Sequence, residues 1–449
     1  MWFAKKQAKM ISSSKSEFSL VLTGDIAPSR RLFPEEDIID ILQDADATVG
    51  NFEGPITEAC GPPAGFNNGM YLRTPPCLLE DLLNAGFDSF TAASNHSADF
   101  LWKGMISTMT AFEERNVPYA GLGRNIEAAR APAYLDTSAG RLGVVAASNE
   151  LKPGTHAGTS VPRGEPRPGV APLRTSPVYR VSHEQLAQLK SISEAIGLER
   201  IKSGLNMSLD DGKHLMLDLG HGQGIHFMAS EGEPRVTYQL SSVDADALLK
   251  QIEQATHRSD VTVASLHVHT GANGRINDQS VPEFLEVVAH KCINAGADVV
   301  MCHGPHVLRG IEIFNDAPIF YSLGDFAMQH QTIEEFPAEM YTIHDTDPDT
   351  MPGTFVKMLE EDSGFPATMA PKSKLGKSIL PLCTFDDGLT VKLYPLDLGK
   401  DKPVYQRGSP QLADKELAIN ILDDLERLST MYGTSIERSD GIGTIRITG

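Results

Sequence analysis

Cysteine is scarce in this sequence, and long apolar runs and a surplus of positive charge are missing altogether. Five cysteines (Cys60, Cys77, Cys292, Cys302 and Cys383) form an odd set with no Cys-x-x-Cys spacing. That argues against a disulfide framework and fits reduced thiols in a cytoplasmic protein. No stretch nears the roughly 18 uninterrupted apolar residues of a membrane helix, so no membrane span is expected. The start, Met1-Trp2-Phe3-Ala4-Lys5-Lys6 followed by a Ser/Lys tract, lacks the apolar segment of a secretory signal. Residues 1–17 are expected to be a disordered N-terminal segment. With 39 Lys and Arg against 59 Asp and Glu the net charge is -20, which disfavours nucleic acid or an anionic membrane as partner, because phosphate needs compensating cations. There is no internal repeat. Gly220-His221-Gly222-Gln223-Gly224 lacks the following Lys-Ser/Thr and the helix that a phosphate loop requires.

What is present suits a folded chain of some size: 41% hydrophobic and 22% charged residues, with 28 prolines and 39 glycines that imply many loops. Strand-like runs at 18–23, 47–52, 87–94, 141–148, 260–266, 299–303 and 317–323 alternate with helical patterns at 37–43, 76–86, 103–115, 243–255 and 282–295. Such alternation predicts an α/β fold with much parallel sheet, whose ligand groups collect at the carboxyl ends of the strands. Two stretches break the rhythm. Residues at about 150–240, with Pro153, Pro162, Pro166, Pro168 and Pro172, read as a long loop insertion, a candidate lid or recognition segment, and 327–376 read as a second irregular insertion. Two antiparallel strands around Asp386-Asp387-Gly388, a helix near 413–428 and a strand at 443–448 complete the chain.

The run Val299-Val300-Met301-Cys302-His303-Gly304-Pro305-His306 is a buried strand pattern that opens into a tight turn carrying two imidazoles. Other strand-like runs end in the same way, in a residue able to bind metal. Together they bring forward Asp25, Glu53, Asn95, His96, His267, His269, His303 and His306. Singly, each is explained as a turn former or loop residue. Recurring at strand end after strand end, they point to one centre. Mixed carboxylate and imidazole donors favour Zn, Mn, Fe or Co over Ca or Mg, and a carboxylate such as Glu53 could bridge two ions.

Gly24-Asp25 with Arg30, Asn51-Phe52-Glu53-Gly54-Pro55, Ser94-Asn95-His96-Ser97-Ala98-Asp99, Ser265-Leu266-His267, His303-Gly304-Pro305-His306-Val307-Leu308 and Phe320-Tyr321-Ser322-Leu323-Gly324-Asp325-Phe326 resemble, in order, the motifs of the CapA family of capsule and poly-γ-glutamate synthesis proteins. That family is in turn similar to calcineurin-like metallophosphoesterases. The resemblance implies a four-layer α/β/β/α sandwich over one domain, 18–449, with the two insertions. It implies metal ligands at Asp25, Glu53, Asn95, His267, His303 and His306 for one or two divalent transition-metal ions. It implies an acid at His96, oriented by Asp99. Arg30 would hold an anionic group.

Three positions depart from the related patterns. Ala27 stands where phosphoesterases carry a ligand His. His267-Val268-His269 replaces the usual His-Trp-Gly, which makes His269 a replacement ligand, a substrate contact or a catalytic proton carrier. Asp325 replaces Asn and adds a carboxylate beside the substrate. The function expected is a metal-dependent hydrolase acting on a peptidic or γ-glutamyl substrate through metal-activated water. Peptide epimerisation, phosphoester hydrolysis and a noncatalytic accessory role in capsule polymer synthesis are the alternatives.

Overall fold

Strands that are apolar on both faces make the centre of this protein, and their alternation decides which core each residue enters. In Arg141–Ser148, Leu142, Val144 and Ala146 join one core, while Val145 and Ala147 join another. Val299–His303 divides in the same way, Val299 and Met301 against Val300 and Cys302. Continuous apolar runs of this kind belong to parallel strands covered on both sides. The computed structural model describes residues 17–447 except 33, 59–60, 66–69, 160–163, 198–212, 219–223, 362–375 and 400–401. Residues 1–16, Cys60 and His221 therefore lie outside the described residues.

Two large mixed sheets carry the fold. One has ten strands. Its parallel part runs through Phe18–Ala27, Ala47–Phe52, Ser89–Thr91 and Tyr119–Ala120, with Asp325–Met328 also parallel to the first. The hairpin Lys377–Phe385/Leu389–Asp397 and the strand Ile442–Ile447 continue it antiparallel. The other has six strands, in which Arg141–Ser148, Val261–His267, Val299–His303 and Ala317–Phe320 lie parallel. The first core is lined from both sheets, by Leu20, Leu22 and Val49 of one and Val144, Val263 and Met301 of the other. The second core packs the six-stranded sheet against helices Ser242–Thr256 and Glu283–Asn294 through Leu248, Ile252, Leu285 and Val288.

The α/β reading holds, and most expected elements fall within a residue or two of the observed ones. The strand expected at 87–94 is shorter, because the chain leaves the sheet after Thr91 and is bracketed by Ser97, whose hydroxyl donates to the Ala92 carbonyl (2.7 Å). The stretch read as a long loop at 150–240 instead carries a sheet of its own, ordered His214–Asp218, Gly224–Ala229, Thr175–Val181, Arg235–Leu240, with helix His183–Ala195 against it. Its short, half-exposed strands have weak alternation. Pro177 hid one of them, standing where Thr175–Val181 pairs on one side only. The second irregular stretch holds helices Ala338–Ile343 and Pro352–Glu361, whose Met340, Tyr341, Phe355 and Leu359 pack with Tyr71, Leu72 and Met328. Among the described residues no helix is long and apolar enough to cross a membrane, and Cys77, Cys292, Cys302 and Cys383 are free thiols.

Candidate metal centre

Asp25 is placed by a close approach of two backbones. It lies opposite Asp325 on one neighbouring strand and Asn51 on the other, just after the register slips between Leu22 and Asp25. A Cβ on Gly24 would stand 1.8 Å from the Gly324 carbonyl oxygen, so only glycine fits there. Asn51 donates through Nδ2 to Asp25 Oδ1 (2.6 Å) and accepts from the Thr91 hydroxyl (2.8 Å), and the Gly304 N–H donates to Asp25 Oδ2 (2.9 Å). The carboxylate is thus aimed by residues from both sheets.

His267 and His303 end adjacent strands and pair in register. Beyond them the chain turns through two left-handed residues, Gly304 (φ 113°) and His306 (φ 55°). A histidine in this region is uncommon, and its strain is borne where a site demands the turn. The result sets His303 Nδ1 3.7 Å from Asp25 Oδ1 and His306 Nδ1 3.7 Å from Asp25 Oδ2.

Hydrogen bonds on the far side of each ring decide which nitrogen faces inward. Ser265 Oγ, itself donating to Thr91, lies 2.7 Å from His303 Nε2. Asn277 Oδ1 lies 2.8 Å from His269 Nδ1, and Asp325 Oδ1 lies 2.7 Å from His306 Nδ1. These acceptors take the ring protons, so lone pairs of His303 Nδ1 and His269 Nε2 face the centre, and His306 presents Nε2, whose lone pair is free once the ring is neutral. His267 lies among them, with Nδ1 2.8 Å from His303 Nδ1 and Nε2 2.9 Å from Asn95 Oδ1 and 3.1 Å from His269 Nε2. With Asn95 Oδ1 turned toward the rings, either neutral tautomer of His267 leaves acceptor facing acceptor. Glu53 states the same need more sharply. Both its oxygens are buried with no hydrogen-bond partner among the described residues, with His306 Nε2 at 3.7 Å and His269 Nε2 at 4.0 Å from Oε1. A buried carboxylate without donors is costly, and a cation is the natural complement.

Three groups of side chains could hold a metal ion: Asp25, His267 and His303; Glu53, His269 and His306; and Asp25, His306 and Asp325. Protonation follows the same crowding. Burial, with the neighbouring Asp325 charge, pushes Asp25 up to about 7, and burial with the Asp25 charge raises Glu53. Burial pushes His303 down to about 3 and holds His267 and His269 well below the ordinary imidazole value. Burial would lower His306 too, but Asp325, Glu53 and Asp25 outweigh it and raise the ring to about 10. Burial and mutual repulsion thus favour the protonated carboxyl groups, and the carboxylates favour the protonated His306 ring, in a place suited to a cation.

Beside this group sits His96, its Nδ1 2.7 Å from Asp99 Oδ2. Asp99 is fully buried, accepts from the Leu72 N–H (2.7 Å) and is paired with the Lys152 ammonium. Burial opposes its charge, but His96 and Lys152 prevail and lower its pKa. His96 itself is lowered, chiefly by burial, so it is neutral at pH 7. The Ser94 hydroxyl holds the turn, donating to the Glu53 carbonyl and accepting from the N–H groups of His96 (3.1 Å) and Ser97 (3.2 Å).

The sequence-derived candidates Asp25, Glu53, Asn95, His96, Asp99, His267, His269, His303, His306 and Asp325 are all brought together. Arg30 is exposed, and its backbone N–H donates to Gln329 Oε1 (3.1 Å). Ala27 is buried in an apolar cluster with Met328 and Leu72. Sequence reading quoted Asn51 within a motif without giving it a role, and it missed Lys152 and Asn277, which meet Asp99 and His269. Lys152 stands at the start of the stretch read as an insertion, and nothing in its local pattern signals a partner at Asp99.

Fold and site together define an α/β protein with a buried carboxylate–imidazole centre at the carboxyl ends of its parallel strands. A family model described as "Bacterial capsule synthesis protein PGA_cap" matches residues 19–330, and the chain belongs to this CapA family. It is 31% identical to the protein y4sH of Sinorhizobium fredii, over 96% of this chain and 93% of that one. It is 22% identical to the capsule biosynthesis protein CapA of Bacillus anthracis (64% of this chain, 51% of that one) and 21% identical to the PGA biosynthesis protein CapA of Bacillus subtilis (73% and 67%).

Proposed function

We propose that this chain is a metal-dependent enzyme of the CapA family acting on a peptidic, γ-glutamyl-type substrate, built as one α/β/β/α sandwich domain over residues 18–449. The observation that carries the proposal is the pair of orphaned Glu53 oxygens among inward-facing imidazoles, with the His96–Asp99 pair alongside. Asp25, Glu53, Asn95, His267, His303 and His306 would hold one or two ions of Mn, Zn, Fe or Co, and His269 joins them as a ligand. A divalent ion there supplies Lewis acidity toward water or a carbonyl oxygen.

The chain's own residues supply the proton handling. Asp99 fixes the Nδ1 side of His96 and leaves Nε2 as the exchanging nitrogen. Because His96 is neutral at pH 7, it first accepts a proton and then returns it. In hydrolysis the proton comes from the attacking water and goes to the leaving amine. The same neutral imidazole favours a second reading, in which His96 takes the proton of an α-carbon beside a carbonyl and passes it to solvent. Water delivers a proton to the opposite face of that carbon, so that the peptide is epimerised with no peptide bond cleaved. Incubating the Mn-loaded protein with γ-glutamyl peptides in deuterated water separates the two. Cleavage is the expected result. Deuterium at an α-carbon without cleavage transfers the assignment to epimerisation, and neither change in any peptide sinks both.

A further inference from the structure

The loop after His267 is held by a residue that the centre itself does not use. Arg309 is completely buried and heads the fully buried large side chains. Among the described residues it has no ion-pair partner. Its guanidinium donates instead to four backbone carbonyls: Nε to Asp278 (2.9 Å), Nη1 to Val268 (3.3 Å), and Nη2 to His269 (3.2 Å) and Thr270 (3.0 Å). One planar fork therefore ties both ends of loop 268–278. Within that loop lie His269 and Asn277, which meet at 2.8 Å, and the Asn277 N–H donates to the His269 carbonyl (3.2 Å). Burying a guanidinium without a carboxylate is costly and needs every donor satisfied. Lysine, a point charge with tetrahedral donors, cannot span these carbonyls.

The need for such a clamp differs across the centre. His267 and His303 are fixed by strand pairing and stand 3.9 and 3.7 Å from Asp25 Oδ1. His269 is on a loop, and it shares Glu53 Oε1 with His306 at 4.0 and 3.7 Å. We propose that Arg309 is a positioning residue that holds His269 and so completes a second cation pocket of Glu53, His269 and His306, distinct from the Asp25–His267–His303 pocket. This rests on the metal reading above and deepens it.

The test uses full-length protein stripped by a chelator and titrated with Co2+, followed by calorimetry and by the visible absorption of the bound ion, with circular dichroism as the fold control. Wild type is expected to take two ions per chain. Arg309→Lys and Arg309→Met should keep the first binding event unchanged and weaken the second by about 10–100-fold, the range for residues that orient ligands. His269→Ala should reproduce that loss. Unchanged binding of both ions in a folded Arg309 variant overturns the proposal. So does loss of fold in both Arg309 variants, because the role would then belong to the fold. A wild type that binds one ion removes the second pocket but leaves the metal centre standing, whereas one that binds none removes the metal reading itself.

Discussion

His96 and Glu53 both lie at the carboxylate–imidazole cluster, yet they are set up for different tasks. His96 has a carboxylate behind it and belongs to none of the three groups that could hold an ion among the described residues. His96→Ala should therefore keep its metal content, measured by elemental analysis, and lose turnover by about 10²–10⁴-fold. His303→Ala should lose metal. Full activity in His96→Ala would remove its proton role. Glu53 is raised by burial, so the folded metal-free protein holds that proton more tightly than the unfolded chain. Stability from this group is complete below the ordinary carboxylate value and declines as pH rises above it. In chelator, Glu53→Gln should match wild type at acid pH and melt at a higher temperature at pH 7.5. Excess Mn2+ should reverse the order, since binding at 100 times Kd adds about 2.7 kcal/mol to wild type. A chelated wild type that outlasts the Gln variant at pH 7.5 would contradict the reading of Glu53 as a carboxylate waiting for a cation.

Elements matter here through how closely their backbones approach. The contact of Phe18–Ala27 with the turn before Asp325–Met328 admits no side chain at Gly24. Gly24→Ala should cost about 3 kcal/mol or more by overpacking and should weaken metal binding together with stability, as seen in paired denaturation and metal titrations. Normal stability in this variant would mean that the two strands separate more easily than the register implies. The strands and helices of this region were legible in the sequence because their apolar runs and caps are local. The sheet within 175–240 was not, because half-exposed strands carry no clean alternation and Pro177 looks like a loop residue unless its unpaired side is known.

For the whole molecule, charge sets a condition on partners. A net charge of -20 repels a polyanion at long range, and salt screens that repulsion, with a Debye length of about 30 Å at 0.01 M and about 8 Å at 0.15 M. If the substrate is a γ-glutamyl polymer, kcat/KM should rise over that interval, while a short neutral γ-glutamyl amide should show no such change. A fall with salt for the polymer would reveal a cationic track strong enough to overcome the overall charge.

By itself the sequence determined which residue types stand at the ends of the strands, because hydrophobic periodicity and side-chain chemistry are written locally. Asp25, Glu53, Asn95, His267 and His303 were readable for that reason. Only the tertiary structure decided that these ends meet, bringing the Gly304 N–H onto Asp25 across 279 residues of chain. It also decided that Lys152 meets Asp99, that Asn277 meets His269, and that Arg309 reaches the carbonyls of the loop after His267. Their hydrogen bonds depend on where distant strands and loops are carried, and no local spacing encodes that.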